Sequence, residues 1–434
     1  MPFCQVIVDI NHTDVDHVFT YRVPKGLCVC PGMRVHVPFG PRKLEGVVVE
    51  MTEECDLPPE RVKDVCDTLE DYPAVLPPLL ALARDIQRSS FCTLAMALRL
   101  MFPAQMRGQR IREKRQEVAV LTVAPDVLGQ VIAAQIRAPK RAKVLRALAD
   151  APETELTTAA LREAVGDCRD ALNALCKMGF VKLEKRESLR RPYGAMERLS
   201  EKDPRLTRQQ EDVLAELLPA VERGQGEFLL YGVTGSGKTE VFIRAVRHVA
   251  QMGKTAIVLV PEIALTPQMV SWFRSRFGED AAVLHSRLSP GERYDEWRRI
   301  RRGDVRVVIG ARSAIFAPLE NVGLIIIDEE HEQSYIADNN PHYDARQLAH
   351  ERCAREGATL LLASATPSMR SFAMAGRGDL RLLEMPRRVN NRPMPTVHVV
   401  DMREELKKGN RSVFSGALVN GLDKCVKSGR QAIL

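Results

Sequence analysis

The sequence predicts a multidomain protein in which a small N-terminal β-rich, barrel-like domain and a winged helix precede an α/β domain with a doubly wound parallel sheet. Three observations support this fold class. Residues 1–50 hold short β-branched runs separated by Pro and Gly, residues 138–190 hold three helical patterns followed by a strand, and continuous apolar runs alternate with helical segments from residue 227 onward. We expect domains over residues 1–105, 115–190, 200–395 and 396–434.

Length and composition limit the classes of protein to which this chain can belong. Its 434 residues suggest about three domains. A hydrophobic fraction of 45% and a charged fraction of 27% exclude a largely disordered or fibrous chain, and a net charge of +7 permits a polyanionic partner without requiring one. No apolar run approaches the roughly 18 residues of a membrane span, and the ten cysteines form no C-x-x-C pair. We therefore expect a cytoplasmic protein with free thiols and no membrane contact.

The N-terminal region is predicted to be a small all-β unit followed by a helix. Its β-branched runs lie at residues 6–8, 18–23, 34–37 and 47–49. Pro and Gly separate these runs, as is usual between short strands. Residues 76–100 are rich in Leu and Ala and predict one helix.

The middle region is predicted to be a winged helix. A basic segment at residues 107–117 reads as a linker or as a solvated surface run. Helical spacing follows at residues 141–148, a second helix begins at Thr157, and a third covers residues 169–178 before a strand at 180–183. A three-helix packing module without nucleic-acid contact is the alternative interpretation.

The last region alternates buried strands with helices. Its continuous apolar runs lie at residues 228–231, 256–260, 305–309, 322–327 and 359–362. Such runs suit parallel strands that are covered on both faces. Helices are marked by Thr266-Pro267 and Ser289-Pro290 at their starts and by Gly278 and Gly303 at their ends.

A phosphate-binding loop connects the first of these strands to a helix. The pattern G-x-x-x-x-G-K-[ST] is met by Gly232, Val233, Thr234, Gly235, Ser236, Gly237, Lys238 and Thr239. Backbone amides in such a loop point at phosphate oxygens, and the following helix N-terminus favours an anion. We expect Lys238 to reach the β- and γ-phosphates and Thr239 to bind magnesium.

Two further polar motifs end strands of the same predicted sheet. Asp328, Glu329 and His331 follow the Ile-rich strand, where carboxyl ends of parallel strands face a ligand crevice. Asp328 is predicted to bind magnesium, and Glu329 to orient and deprotonate an attacking water. We group His331 with these catalytic residues. Ser364 and Thr366 follow another strand and are predicted to relay between the nucleotide site and a second surface.

These motifs together resemble the motor core of superfamily 2 helicases. The phosphate loop, Asp-Glu-Glu-His and Ser-Ala-Thr carry that resemblance. Five segments resemble the primosomal protein N′ (PriA) family more specifically, at residues 19–24, 34–40, 260–268, 284–286 and 309–318. The resemblance implies that the α/β domain is a P-loop RecA-like helicase lobe, ending near residue 395 where an incomplete second lobe begins.

The resemblance also implies roles for individual residues. Residues 1–105 would capture the 3′ end of a DNA strand, with a terminal-base pocket at Phe19, Tyr21, Phe39 and Gly40; core packing is the alternative for the two phenylalanines. Gln210 would contact adenine, with a surface helix glutamine as the alternative. Contacts with single-stranded DNA are implied for Thr266, Gln268, Arg312, Ser313, Tyr335 and Tyr343.

The function that the resemblance implies is an ATP-dependent 3′–5′ DNA helicase that recognises stalled or abandoned replication forks and initiates primosome assembly. ATP and Mg²⁺ are the expected cofactors; zinc is expected for the family, but its ligands are absent from this chain. The expected partners are forked and single-stranded DNA, primosome proteins and single-strand-binding proteins. Because the second lobe is incomplete, we expect weak ATP hydrolysis and a frayed or partner-bound segment at residues 395–434. The alternatives are a RecG-like fork translocase and a non-catalytic fork-binding assembly platform.

Overall fold

The computed structural model describes residues 2–55, 57–58, 60–109, 111, 114–190, 204–264, 267–389 and 396–434. The chain forms two compact units, Met1–Pro386 and Arg387–Leu434. The first unit contains a five-stranded, a three-stranded and a seven-stranded sheet. No helix in the described part of the chain combines the length and apolarity needed to cross a membrane.

The N-terminal sheet is antiparallel. Its strands are β1 (Phe3–Val8), β2 (Phe19–Arg22), β3 (Arg34–Phe39), β4 (Arg42–Thr52) and β5 (Asp67–Thr68). They follow the order β2-β1-β4-β3-β5. A backbone bridge between Arg22 and Asp64 connects the end of β2 with the residues before β5, so the two edges of the sheet meet. The predicted β-rich N-terminal domain is thus confirmed.

Two helices follow this sheet where the sequence predicted one. They are α1 (Pro77–Ser90) and α2 (Leu94–Leu98). Phe91 ends α1 in the left-handed region, with φ of +48°, and the Thr93 Oγ1 accepts from the amide of Met96 at 3.2 Å to begin α2. The prediction of a single helix was wrong because this local cap stops the Leu/Ala-rich pattern.

The middle region is a small three-stranded antiparallel sheet covered by helices. It consists of β6 (Arg115–Leu121), α3 (Pro125–Ala134), α4 (Pro139–Ala149), β7 (Glu155–Thr157), α5 (Thr158–Val165), α6 (Arg169–Lys177) and β8 (Val181–Glu187). The strand order is β7-β6-β8. Leu145, Leu161 and Leu175 are fully buried between the helices and the sheet. The three predicted helices and the strand after them are all present.

The α/β region contains seven strands, and all neighbours in its sheet are parallel. The strand order is β11-β12-β10-β13-β14-β9-β15. The elements are α7 (Arg208–Arg223), β9 (Glu227–Gly232), α8 (Lys238–Gln251), β10 (Thr255–Leu259), α9 (Pro267–Phe277), β11 (Ala281–Leu284), α10 (Pro290–Arg302), β12 (Val307–Gly310), β13 (Val322–Ile327), α11 (Ala345–Glu356), β14 (Thr359–Ser364), α12 (Met369–Arg377) and β15 (Arg381–Met385). The predicted doubly wound parallel sheet is confirmed, although the sequence did not predict β11 and β15.

Each face of this sheet has its own hydrophobic core. Leu324 and Ile326 of β13 pack with α7, α8 and α9, whereas Ile325 and Ile327 face α10 and α11. This alternation follows from the two-residue period of a strand. The second core continues into α1 and α2 of the N-terminal region. The N-terminal helices therefore complete the cover of one face of the parallel sheet.

The second compact unit contains α13 (Met402–Lys407) and α14 (Gly416–Lys427). The side chains of Asp401 and Ser415 cap the first turns of these helices. These two helices are not frayed, because both have the hydrogen-bonded caps that stabilise helix starts. The alternative expectation, that the segment leans on a partner, stays a prediction. Residues 390–395 lie outside the described residues.

Candidate nucleotide-binding site and DNA-binding surfaces

The predicted phosphate-binding loop connects β9 to α8. Gly235 and Gly237 have φ angles of +81° and +85°, which residues with a Cβ rarely adopt, and they turn the chain into the first turn of α8. The buried Lys238 donates from Nζ to the carbonyl oxygen of Gly232 at 2.9 Å. The buried Ser236 Oγ has no hydrogen-bond partner in the described structure. A phosphate would give both polar groups a charged partner, so the loop suits this ligand.

Gln210 is attached to this loop from α7. Its Oε1 accepts from the amide of Thr207 at 2.8 Å, and its Nε2 donates to the carbonyl oxygen of Gly237 at 3.0 Å. The side chain is 3% exposed, which argues against the surface-glutamine alternative. Its contact with adenine stays a prediction.

Asp328 and Glu329 follow β13 at the carboxyl end of the parallel strands. The phosphate-binding loop follows β9 at the same end of the sheet. The amide of Glu329 donates to Asp328 Oδ1 at 3.0 Å, and Glu329 itself has a φ of +45°. Burial, with the charge of Glu329 adding to it, raises the pKa of Asp328 to about 6, while Lys238 opposes this shift. Because β14 lies between β9 and β13 and is parallel to both, the phosphate loop and Asp328 leave the sheet at the same carboxyl end.

Asp328 and Thr239 fit a magnesium ion bound together with phosphates. Mg²⁺ typically takes one or two carboxylates and completes its shell with substrate oxygens and water. A buried carboxylate whose pKa is raised also gains from a nearby cation. Within the described ranges, no group of three or more His, Cys, Asp or Glu side chains could hold a metal ion by itself. We assign no zinc ligand to these residues.

His331 and Ser364 connect the ends of β13 and β14. Nδ1 of His331 lies 2.8 Å from Oγ of Ser364. Oε2 of Glu329 lies 3.6 Å from the same nitrogen and 3.5 Å from the Ser364 hydroxyl. The amide of Thr366 donates to that hydroxyl at 2.9 Å. The structure therefore brings all four predicted residues into one network.

The predicted DNA-contacting residues of the α/β region fall into three groups. Arg312 donates to the carbonyl oxygens of Ser334, at 3.2 Å, and of Ile336, and its guanidinium lies 5.6 Å from the ring centre of Tyr343. Ser313 is exposed beside it. Gln268 lies in α9, and Thr266 lies outside the described residues.

Tyr335 differs from the others because its ring has no exposed surface. Its hydroxyl donates to the carbonyl oxygen of Asp328 at 2.6 Å. A fully buried ring cannot stack on a base without moving. The expected direct contact between Tyr335 and DNA therefore does not agree with this structure, which instead joins Tyr335 to the carboxylate end of β13.

The predicted terminal-base pocket lies where β2 meets the turn between β3 and β4. The rings of Phe19 and Phe39 meet edge to face with centroids 5.2 Å apart, and both are half-buried. Gly40 lies in the turn next to them, and the ring of His17 lies 4.3 Å from Phe19. Tyr21 is buried and donates from its hydroxyl to Pro38 at 3.3 Å, so its ring belongs to the core.

Family models of known proteins match the two regions that hold the predicted terminal-base pocket and the phosphate-binding loop. Residues 5–103 match the family model of the PriA 3′ DNA-binding domain, and residues 207–375 match that of the DEAD/DEAH box helicases. The whole chain is 36% identical to Replication restart protein PriA of Bacillus subtilis, of which it covers 62%, and 36% identical to that of Synechocystis, of which it covers 60%. Along its whole length the chain is similar to these two Replication restart proteins PriA.

The chain spans about 60% of the length of these two PriA relatives. Among solved structures, RecG bound to a three-way DNA junction is 28% identical over 44% of this chain and 24% of RecG, with a TM-score of 0.32.

Glu330 is a buried residue beside the candidate site that was not among the residues predicted from the sequence. The carboxylate is fully buried and accepts from the amide of Ser368 at 2.6 Å, the hydroxyl of Ser368 at 3.0 Å and the hydroxyl of Ser371 at 2.8 Å. Ser368 begins α12, so Glu330 attaches that helix to the end of β13. The signal was a third acidic residue after a buried strand together with a Ser-x-x-Ser pair after the Ser-Ala-Thr motif.

Proposed function

We propose that the protein is an ATP-dependent DNA helicase of replication restart, which moves 3′ to 5′, recognises stalled or abandoned forks and initiates primosome assembly. The observation that carries this proposal is the strand order β13-β14-β9 of the parallel sheet, which places Asp328 after β13 and the phosphate loop after β9 at the same carboxyl end, separated by β14. This is where nucleotide-binding α/β domains place their ligands. The matches to the models of the PriA 3′ DNA-binding domain and of the DEAD/DEAH box helicases, together with the similarity to Replication restart protein PriA, support the choice of helicase among nucleotide-binding proteins.

The residues of the cleft have complementary roles in hydrolysis. The loop amides and Lys238 would bind the β- and γ-phosphates, and Thr239 and Asp328 would hold a magnesium ion, whose charge would neutralise that of the phosphates. Glu329 orients the attacking water and takes its proton. The carboxylate of Glu329 lies next to both His331 and Ser364. Because Ser364 is the last residue of β14, the position of this carboxylate depends on the end of that strand.

A short chain of contacts joins the DNA-facing residues to this cleft. Arg312 donates to the carbonyl groups of Ser334 and Ile336, on either side of Tyr335. Tyr335 in turn donates to the carbonyl of Asp328. When Arg312, together with Ser313, Gln268 and Thr266, grips the phosphates of single-stranded DNA, the carbonyl contacts of Arg312 change. We therefore assign Tyr335 a positioning role and leave Tyr343 as the aromatic DNA contact of this loop.

The N-terminal domain supplies the recognition of forks in this proposal. Phe19 and Phe39 present half-buried aromatic rings beside Gly40, and stacking on an aromatic ring accepts any base. We propose that a terminal base at a 3′ end binds there. Primosome proteins and single-strand-binding proteins are the further partners that we propose for the protein.

Nucleotide binding by Lys238→Ala tests the motor site. We expect a fluorescent ATP analogue with Mg²⁺ to bind at least about tenfold more weakly, because a charge-assisted contact to phosphate is lost. Lys177→Ala, which removes an exposed lysine from α6, is the matched control and should bind normally. Equal binding by all three proteins would refute the proposed site. If Lys238→Ala abolishes unwinding but still rescues forks and loads the primosome, the platform alternative is favoured.

Fork binding tests the N-terminal assignment independently of nucleotide. Forks with a free 3′-OH and with a blocked 3′-OH on the leading strand are compared by fluorescence anisotropy. Tighter binding of the free end is expected. Equal affinity for the two forks would remove the end-capture role but leave the motor role intact.

A further inference from the structure

The outer face of α1 carries a strip of two arginines and one phenylalanine. Arg84 and Arg88 stand at i and i+4, one above the other on the same side of α1, and Phe91 follows as the residue that ends the helix. All three are exposed. The opposite side of α1 is buried against the α/β region, so the orientation of the helix is fixed. The strip faces away from the core.

Phe91 is an unfavourable residue at its position in two respects. Its side chain is 95% exposed, and its φ of +48° is one that Gly or Asn adopts more easily than an aromatic residue. Unusual backbone conformations of this kind are maintained mainly at functional sites. A ligand that covers the ring would explain why an aromatic residue ends this helix.

The charge of the strip is not neutralised by its neighbours. Asp85, the acidic residue of α1, is paired with Arg355, and Gln87 bonds to Asp16. Neither Arg84 nor Arg88 has a hydrogen-bond or ion-pair partner in the described ranges. Two free guanidinium groups beside an exposed aromatic ring match the phosphates and bases of a nucleic acid.

The strip also adjoins the surface to which DNA binding was assigned above. The hydroxyl of Ser90 donates to the carbonyl oxygen of His342, one residue before Tyr343. Tyr343 lies against Arg312. The end of α1 is therefore hydrogen-bonded to the loop that carries the proposed aromatic DNA contact. A DNA strand that leaves this loop would lie next to the strip.

We propose that Arg84, Arg88 and Phe91 form an additional binding strip for forked DNA, in which the arginines contact phosphates and Phe91 stacks on an unpaired base. This proposal depends on the DNA-binding part of the proposed function. It extends the surface from the α/β region across the N-terminal domain, so that one fork contacts both.

Fork affinity of the whole chain tests this strip. Phe91→Asn removes the ring but suits the left-handed backbone, and we expect binding of a labelled fork to weaken about tenfold while the thermal unfolding midpoint stays equal or rises. Phe91→Trp keeps a stacking surface and should bind like the wild type. The double variant Arg84→Ala/Arg88→Ala should lower the slope of log affinity against log salt by about 2.

Arg223→Ala is the matched charge control, because Arg223 is exposed at the last position of α7. This end of α7 precedes the start of β9, whereas the phosphate loop follows the end of β9. It should leave the affinity and the salt slope close to those of the wild type. Wild-type fork affinity in Phe91→Asn and in the double arginine variant would overturn the strip while leaving the proposed helicase function standing. A wild-type chain that binds no fork at all would overturn both the strip and the DNA-binding part of the function.

Discussion

The hydroxyl of Ser364 lies 2.8 Å from Nδ1 of His331 and joins the ends of two adjacent parallel strands. Glu329 stands next to both groups, at 3.5 Å from the hydroxyl and 3.6 Å from the imidazole nitrogen. The hydroxyl can donate to only one of them at a time. A change of partner at Ser364 would therefore move the carboxylate that we propose to activate water.

Ser364→Ala is predicted to uncouple DNA binding from hydrolysis. Because the hydroxyl of Ser364 bonds, within the described residues, to His331, Glu329 and the amide of Thr366, nucleotide binding should be retained, whereas stimulation of ATP hydrolysis by DNA should fall about fivefold or more. Steady-state hydrolysis by the protein, with and without single-stranded DNA, measures this ratio. Ser428→Ala, in the second compact unit, is the control. An unchanged ratio in Ser364→Ala would contradict the coupling role.

Glu330→Ala is predicted to destabilise the α/β region by about 3 kcal/mol or more, because it leaves three donors without their acceptor in a buried site. Urea unfolding followed by circular dichroism measures the loss. Gln333→Ala, three residues away and exposed, should change the stability by less than about 0.5 kcal/mol. Similar midpoints for the two variants would show that Glu330 does not hold α12 in place.

Local patterns predicted those parts of the structure that local interactions determine. The helix α10 begins after Ser289 and ends before Gly303 as expected, since a capping box and a left-handed glycine specify its ends within a few residues. The phosphate loop and the Asp-Glu-Glu-His motif were found in the same way, because their spacing is itself the chemical requirement.

Features that depend on distant partners could not be predicted. The four-residue β11 is a strand because β12 pairs with it, and β15 lies at a sheet edge where its residues alternate between buried and exposed. The burial of Tyr335 depends on the carbonyl of Asp328. The acidic residue Glu330 and the Ser-x-x-Ser pair are visible in the sequence, but only the fold shows that they bond to each other. An aromatic or acidic residue in a loop does not reveal by its identity whether it faces solvent or the core.

The capping box of α10 gives a pH-dependent contribution to stability. Hydrogen bonds from the side chain and the amide of Ser289 lower the pKa of Glu292 below its ordinary value of 4.5, with His285 and Arg190 acting in the same direction and burial opposing them. A lowered pKa in the folded state means that the stabilisation is present above pH 4.5 and is lost as the pH falls through the folded-state pKa.

Glu292→Gln should keep the cap but remove the titration. At pH 7 the variant should be less stable by only about 0.3 kcal/mol, since the pair is close to solvent. This difference should shrink as the pH falls below about 4.5. Thermal unfolding of the two proteins between pH 3 and 7 measures it, with Glu163→Gln on the exposed side of α5 as the control. A constant or growing difference at low pH would contradict the assignment.

Glu187 at the end of β8 holds the three-stranded sheet against α10. Its two carboxylate oxygens accept from Arg298 at 2.5 Å and from Arg302 at 2.9 Å. Arg298 is buried, whereas Arg302 is 39% exposed, so the two bonds should differ in strength. Glu187→Gln should therefore lower the stability by about 1–3 kcal/mol, and Arg302→Ala by less than about 0.5 kcal/mol. Urea midpoints of the two variants measure this difference. Equal small losses would mean that the buried arginine obtains no net stabilisation from Glu187, and that apolar contacts rather than this ion pair hold the middle domain on α10.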